Sequence, residues 1–112
     1  MYKGLQVAVK KNFNPKIDEE LLKEFSNEIN MLAKYRHPNI VLLVGICSVP
    51  PNLAIITEFV EGGSLYDLLH KKKKAVSKED KRKIVRQVLS SIAFLHEHEI
   101  VHRDIKSHNF LV

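Results

Sequence analysis

At 112 residues the chain is long enough for one ordinary domain and too short for two. Hydrophobic residues make up 45% and charged residues 28%, which excludes a disordered polymer, and the longest apolar run, Ile40 to Cys47, is too short to span a bilayer. The formal charge of +5 is local in origin, because nine of the 18 Lys and Arg residues lie between Lys71 and Arg86. With no aromatic interleaving and no groove-reading motif, the Lys71–Lys74 run reads as a solvated loop ahead of a helix, not as a nucleic-acid site. The single cysteine, Cys47, can form no internal disulfide, and Met1 to Gly4 opens no apolar signal segment. Both features point to an intracellular, cytoplasmic chain.

In chain order, Leu5 to Lys10 alternates as a strand does, with Val7 and Val9 on one face. Asn12 to Lys16, which contains Asn14-Pro15, is a loop. Ile17, Leu21, Leu22, Phe25, Ile29 and Leu32 recur at helical spacing, with acidic residues crowding the first turn where the helix dipole favours them. The helix should stop before His37-Pro38. Ile40 to Ile46 and Leu53 to Phe59 are runs of strand length, and Pro50-Pro51-Asn52 between them predicts a hairpin.

Gly62-Gly63 breaks the pattern. Ser64 to Asp67 has the spacing of a capping box for a short helix, and Ser77 to Asp80 opens a longer one. Ile84, Val85, Val88, Leu89, Ile92 and Leu95 give that second helix a buried face. From His98 onward the chain is irregular and ends in the apolar Phe110-Leu111-Val112. The fold class is α+β, with the strands in the first half.

Three stretches and one helical glutamate carry the chemistry. They are Val7-Ala8-Val9-Lys10, Glu28 in the helix that follows, Thr57 to Leu65, and His102-Arg103-Asp104-Ile105-Lys106-Ser107-His108-Asn109. In this order and at this spacing they resemble the signatures of a eukaryotic protein kinase domain. Lys106, and the wording of Thr57 to Leu69 and of Ser107 to Asn109, are similar to the tyrosine-kinase-like group of Ser/Thr kinases.

The resemblance implies a partial protein-kinase-like fold: residues 1–56 as part of the N-lobe, 57–63 as the hinge and 64–112 as the start of the C-lobe. It implies ATP and Mg2+ as cofactors and a protein substrate carrying Ser or Thr, with no nucleic acid and no membrane span. Lys10 would meet the α- and β-phosphates and pair with Glu28. Ala8 and Leu111 would sandwich adenine, the Glu58 carbonyl and the Val60 amide would read its edge behind Thr57, and Ser64 would touch the ribose. Asp104 would be the catalytic base, Lys106 would neutralise charge on the transferred phosphate, and Asn109 would be a metal ligand.

Plainer readings stand beside these. Glu28 can be a solvated glutamate, Asp104 a turn residue bonded to nearby backbone, and Ser64 a helix cap. His96, His98 and His102 could be weighed as zinc ligands, but their spacing fits no standard site, and a helix end with His near its carbonyls accounts for them. A non-catalytic, pseudokinase-like binding module is the alternative to an enzyme. The family's glycine-rich loop and Asp-Phe-Gly segment are not in these 112 residues. Taken alone, the chain is therefore expected to bind ATP weakly, to transfer phosphate slowly or not at all, and to be marginally stable.

Overall fold

Strand β1 (Val7–Lys11) pairs antiparallel with β3 (Asn52–Glu58), and β3 pairs antiparallel with β2 (Leu43–Val49), giving the sheet order β1-β3-β2. The computed structural model describes residues 1–72 and 75–112, so Lys73 and Lys74 of the lysine run lie outside the described residues. The chain divides into two compact units, Met1–Phe59 and Val60–Val112.

In the first unit β3 is central, and Leu53, Ala54 and Ile55 are buried in succession. Consecutive strand residues point to opposite faces, so both faces are covered there. The β2–β3 hairpin is tighter than predicted: Val49 faces Asn52 and only Pro50-Pro51, joined by a cis bond, closes it. Proline has no N–H to offer a ladder, so a turn is where two in a row remove no strand pairing. Ile40 to Leu42 fall outside β2, because the Ile40 amide turns back to the His37 carbonyl (3.0 Å). Leu5 and Gln6 fall outside β1. Tyr2 and Leu5 instead exchange backbone hydrogen bonds across Lys3-Gly4, whose positive φ values (47° and 81°) suit a two-residue hairpin turn.

Helix α1 (Glu19–Lys34) starts where Asp18 accepts a hydrogen bond from the Leu21 amide at 2.8 Å, with Glu19 and Glu20 at its positive end. Ile17, predicted within it, precedes the cap. The helix stops ahead of His37-Pro38 as expected, with the Tyr35 amide on the Met31 carbonyl. It lies against β2 and buries Leu32.

In the second unit both predicted serine caps form, and each N3 aspartate accepts from the serine hydroxyl. The Ser64 hydroxyl accepts from the Asp67 amide to open α2 (Leu65–His70), and Ser77 does the same with Asp80 for α3 (Lys78–Glu97). The predicted inner face of α3 is corrected by one residue's rotation. Val85 and Leu89 are 55% and 60% exposed, while the inner stripe runs Ile84, Val88, Ser91, Leu95 at spacings of four, three and four. Ser91 takes an apolar position because its hydroxyl donates to the Val88 carbonyl at 2.8 Å.

The end of α3 has no glycine, yet it closes in a Schellman arrangement: the Ile100 amide reaches the Leu95 carbonyl (2.9 Å) and the Glu99 amide the His96 carbonyl (3.0 Å). Glu99 therefore sits at φ 60°, in the left-handed region where a Cβ is a liability. Replacing Glu99 by glycine is expected to stabilise the second unit by about 1 kcal/mol, the strain of a left-handed non-glycine residue. Chemical denaturation followed by helical circular dichroism measures it, and the helix content of the folded state should not change.

Candidate functional site

The predicted site residues fall in both units: Ala8, Lys10, Glu28 and Glu58 in the first, and Val60, Ser64, Asp104, Lys106, Asn109 and Leu111 in the second. In the first, Lys10 stands near the end of β1, opposite Ile55 of β3. Its ammonium donates to both carboxylate oxygens of Glu28, at 2.9 and 3.0 Å. The side chains are 71% and 39% exposed, so water screens the pair and it contributes about 0–1 kcal/mol. Its consequence is positional, since it ties a strand lysine to one face of α1. Ala8 faces Thr57 across the sheet, and Val7 faces Glu58.

Glu58 is committed on three sides. Its carboxylate accepts from the Leu42 amide (2.8 Å), its own amide donates to the Leu42 carbonyl (2.9 Å), and its carbonyl accepts from the Thr57 hydroxyl (3.2 Å). A carbonyl has two lone pairs, so this last bond leaves one for another donor. A cavity of about 360 Å³ beside the α1–β2 connection, lined by Leu32, Arg36, His37 and Leu42 among others, shares only Glu58 with the predicted site.

In the second unit Ser64 is the α2 cap anticipated as its plainer role, and its hydroxyl also donates to Asp67 Oδ2 at 2.8 Å. Asp67 has its pKa lowered, chiefly by the Lys71 ammonium at 2.7 Å and then by Ser64. Ser64 and Leu111 form an antiparallel bridge, flanked by Leu65 N–H to the Phe110 carbonyl (2.7 Å) and Val112 N–H to the Gly63 carbonyl (2.9 Å). A side chain at Gly62 would collide with the Val112 carbonyl, and Gly63 has φ 77°, so glycine is required at both positions. Val60 adjoins this segment and is half-buried.

The bridge returns the chain just after a short 3-10 turn, Ser107–Asn109. The Asn109 side-chain nitrogen donates to the Asp104 carbonyl (2.8 Å) and to Asp104 Oδ2 (3.1 Å). Both partners can only accept, so they fix the amide's orientation and leave its Oδ1 for a cation. Lys106 Nζ lies 3.4 Å from the same Oδ2. Asp104, Lys106 and Asn109 are thus brought together within one exposed loop. The Asp104 carboxyl is held below its ordinary 3.8, first by the Asn109 amide and then by Lys106.

Two features of this loop leave no trace in the residue pattern. Arg103 adopts φ 68°, a strained backbone for a non-glycine residue, and the Asp104 amide donates to His102 Nδ1 at 3.1 Å. A third, the Tyr66 ring stacked on His108, spans 42 positions and no local motif announces it. Of the histidines weighed as metal ligands, His98 places Nδ1 2.8 Å from the Phe94 carbonyl at the end of α3, which agrees with the helix-end account.

Residues 2–112 match the family model of the protein kinase domain. The chain belongs to the protein kinase family. This kinase chain is 42% identical over 113 residues to a probable serine/threonine-protein kinase of Dictyostelium discoideum, covering all of this chain and 12% of that protein. It is 39% identical over 116 residues to the serine/threonine-protein kinase STY46 of Arabidopsis thaliana, covering all of this chain and 20% of that one. Against the Arabidopsis thaliana serine/threonine-protein kinase CTR1 identity is 41%, over 97% of this chain and 14% of the relative. The kinase chain therefore spans between about an eighth and a fifth of the length of these relatives.

The Asp104 environment generates a titration test. Removing the largest cause of its lowered pKa, in Asn109→Ala, is expected to raise the pKa back toward 3.8, read from the carboxyl 13C shift against pH. A depressed folded pKa stabilises above the unfolded value and loses that contribution as pH falls through the folded one. In the parent chain the loop should therefore loosen only on the acid side of 3.8, and in the variant, which lacks the Asn109 tie at every pH, this acid-linked change should be smaller.

Proposed function

We propose that this kinase chain serves ATP-dependent phosphoryl transfer to Ser or Thr hydroxyls of protein substrates, in the cytoplasm, where both ATP and Mg2+ are abundant. The observation that carries the reading is the turn in which one amide, Asn109, grips Asp104 while Lys106 stands 3.4 Å from the same carboxylate. A base to take a proton, a cation for phosphate charge and an oxygen donor for a hard metal ion are what such a reaction needs from a protein. The donor fits magnesium: Asn109 Oδ1 is a hard oxygen ligand, and the Asp104 carboxylate is left for the substrate hydroxyl.

When bound, Mg2+–ATP supplies the phosphoryl group and neutralises its charge. The remaining work falls to side chains. Asp104 accepts a hydrogen bond from the substrate hydroxyl and takes its proton as that oxygen attacks phosphorus. A carboxyl held below 3.8 is a weak base at neutral pH, so its role is first to orient the hydroxyl and only late to receive the proton. Lys106 can move from Asp104 to a phosphate oxygen, because both ends of that pair are exposed to solvent.

Lys10, steadied by Glu28, offers its ammonium to the α- and β-phosphates, with one of its donors still able to reach them. For a purine, the Glu58 carbonyl in the first unit keeps one lone pair for a donor and Ala8 offers an apolar side chain, and in the second unit the Val60 amide is a donor and Leu111 an apolar side chain. Lys106, together with the names carried by the relatives, supports Ser/Thr over Tyr as the acceptor.

The test is transfer from γ-labelled ATP to Ser- and Thr-containing peptides, using the intact polypeptide that carries these residues. Asp104→Asn is expected to lower kcat by about a hundredfold or more while leaving nucleotide affinity nearly unchanged. Equal transfer by parent and Asp104→Asn would refute the assignment.

A further inference from the structure

We infer that Tyr66 is a positioning residue for the catalytic turn, acting through His108 to hold Asn109 on Asp104. The inference rests on the kinase reading for its functional meaning, although its geometry stands apart from it. The Tyr66 ring stacks on His108 with centroids 4.0 Å apart and planes 19° from parallel, and His70 tilts against the same Tyr66 ring at 4.5 Å and 41°. His108 is the middle residue of the Ser107–Asn109 turn, whose Asn109 amide closes on the Lys106 carbonyl at 2.9 Å.

A 3-10 turn of three residues is weak by itself, with one such backbone bond and poor hydrogen-bond geometry. Its outer side is held by the ring stack and its inner side by the Asn109 bonds to Asp104. The turn cannot rotate away from Asp104 without breaking the stack, nor the stack separate without carrying Asn109 along.

Tyr66 is a suitable anchor because its own backbone is fixed from both directions. Ser64 caps the first turn of α2, Asp67 pairs with Lys71 at 2.7 Å, and the Leu65 amide holds the Phe110 carbonyl just beyond the turn. The ring is half-buried and rigid, so ordering it against His108 costs little conformational entropy. The stack needs a flat ring more than a hydroxyl, which separates Phe from Ala at this position. No step of the proposed transfer uses Tyr66, His70 or His108 chemically, which is why their contact reads as support.

The experiment compares Tyr66→Ala, Tyr66→Phe and His108→Ala with the parent chain. Proton exchange at the backbone and side-chain amides of Asn109, followed by NMR, is expected to quicken about two- to tenfold in Tyr66→Ala and His108→Ala and to return to the parent rate in Tyr66→Phe. Amides in the middle of α3 should exchange at parent rates in all three, which a general loss of stability would not allow.

His108→Ala removes the stack from the exposed loop side, so it reports even where Tyr66→Ala unfolds α2. In the intact polypeptide, kcat should fall severalfold in Tyr66→Ala with the KM for peptide unchanged, and Tyr66→Phe should restore it. Parent exchange rates at Asn109 in His108→Ala would overturn the inference. Faster exchange in a polypeptide that transfers no phosphate would support the positioning role while sinking the kinase reading, so the two can fail separately.

Discussion

The second unit depends on a short antiparallel pairing between Gly63–Leu65 and Phe110–Val112. Few backbone bonds make it, yet it joins segments more than 40 residues apart and sets where everything between them must close. Its geometry explains the residue types on both strands. Gly62 must lack a side chain because the Val112 carbonyl occupies that space, and Ser64 must both pair and cap. The loop carrying Asp104 and Asn109 is then delivered beside α2, because Phe110 is held there one residue after the turn. A loop of charged residues has little apolar surface with which to fix its own position; a backbone ladder supplies it.

The first unit solves the same problem with a full strand. Strand β3 buries Leu53, Ala54 and Ile55, and β1 is placed only by pairing along its edge. Lys10 is consequently fixed to within the register of a ladder, opposite Ile55, while its charged end remains outside. Helix α1, capped by Asp18 and seated on β2 through an apolar stripe that includes Leu32, sets Glu28 against it. In both units a rigid backbone pairing is what makes an exposed charge precise in position.

Much of this was legible in the residues. Both serine caps, the stop before His37-Pro38 and the strand order of the hairpin follow from local chemistry, which needs only neighbours a few positions away. The motif residues Asp104 and Asn109 do meet, and Lys10 does meet Glu28. What was hidden depends on rotation and on distant partners. The inner stripe of α3 passes through Ser91 and not Leu89, because a serine that bonds its own helix carbonyl can be buried without hydrophobicity. Helix α3 is closed by Glu99, just past its end, in a conformation that glycine would announce. The Tyr66–His108 stack joins two residues that a linear pattern assigns to separate elements, and Arg103 adopts its backbone for reasons no side-chain pattern encodes.

The placement of charge explains why precision and stability can be separated here. Lys10, Asp104 and Lys106 all keep most of their side chains in water. Exposed ion pairs contribute little to folding, since each partner is nearly as well solvated apart as together. Under the proposed phosphoryl transfer that weakness would suit the exchange of internal partners for those of a substrate, since a buried Lys10–Glu28 pair would resist an incoming phosphate by the full cost of uncovering a charge. The scaffold therefore draws its stability from elsewhere, from Leu53 and Ile55 in one unit and from the inner stripe of α3 in the other. The polar contacts of Lys10 with Glu28 and of Asn109 with Asp104 set where these exposed charged groups stand at little cost in stability.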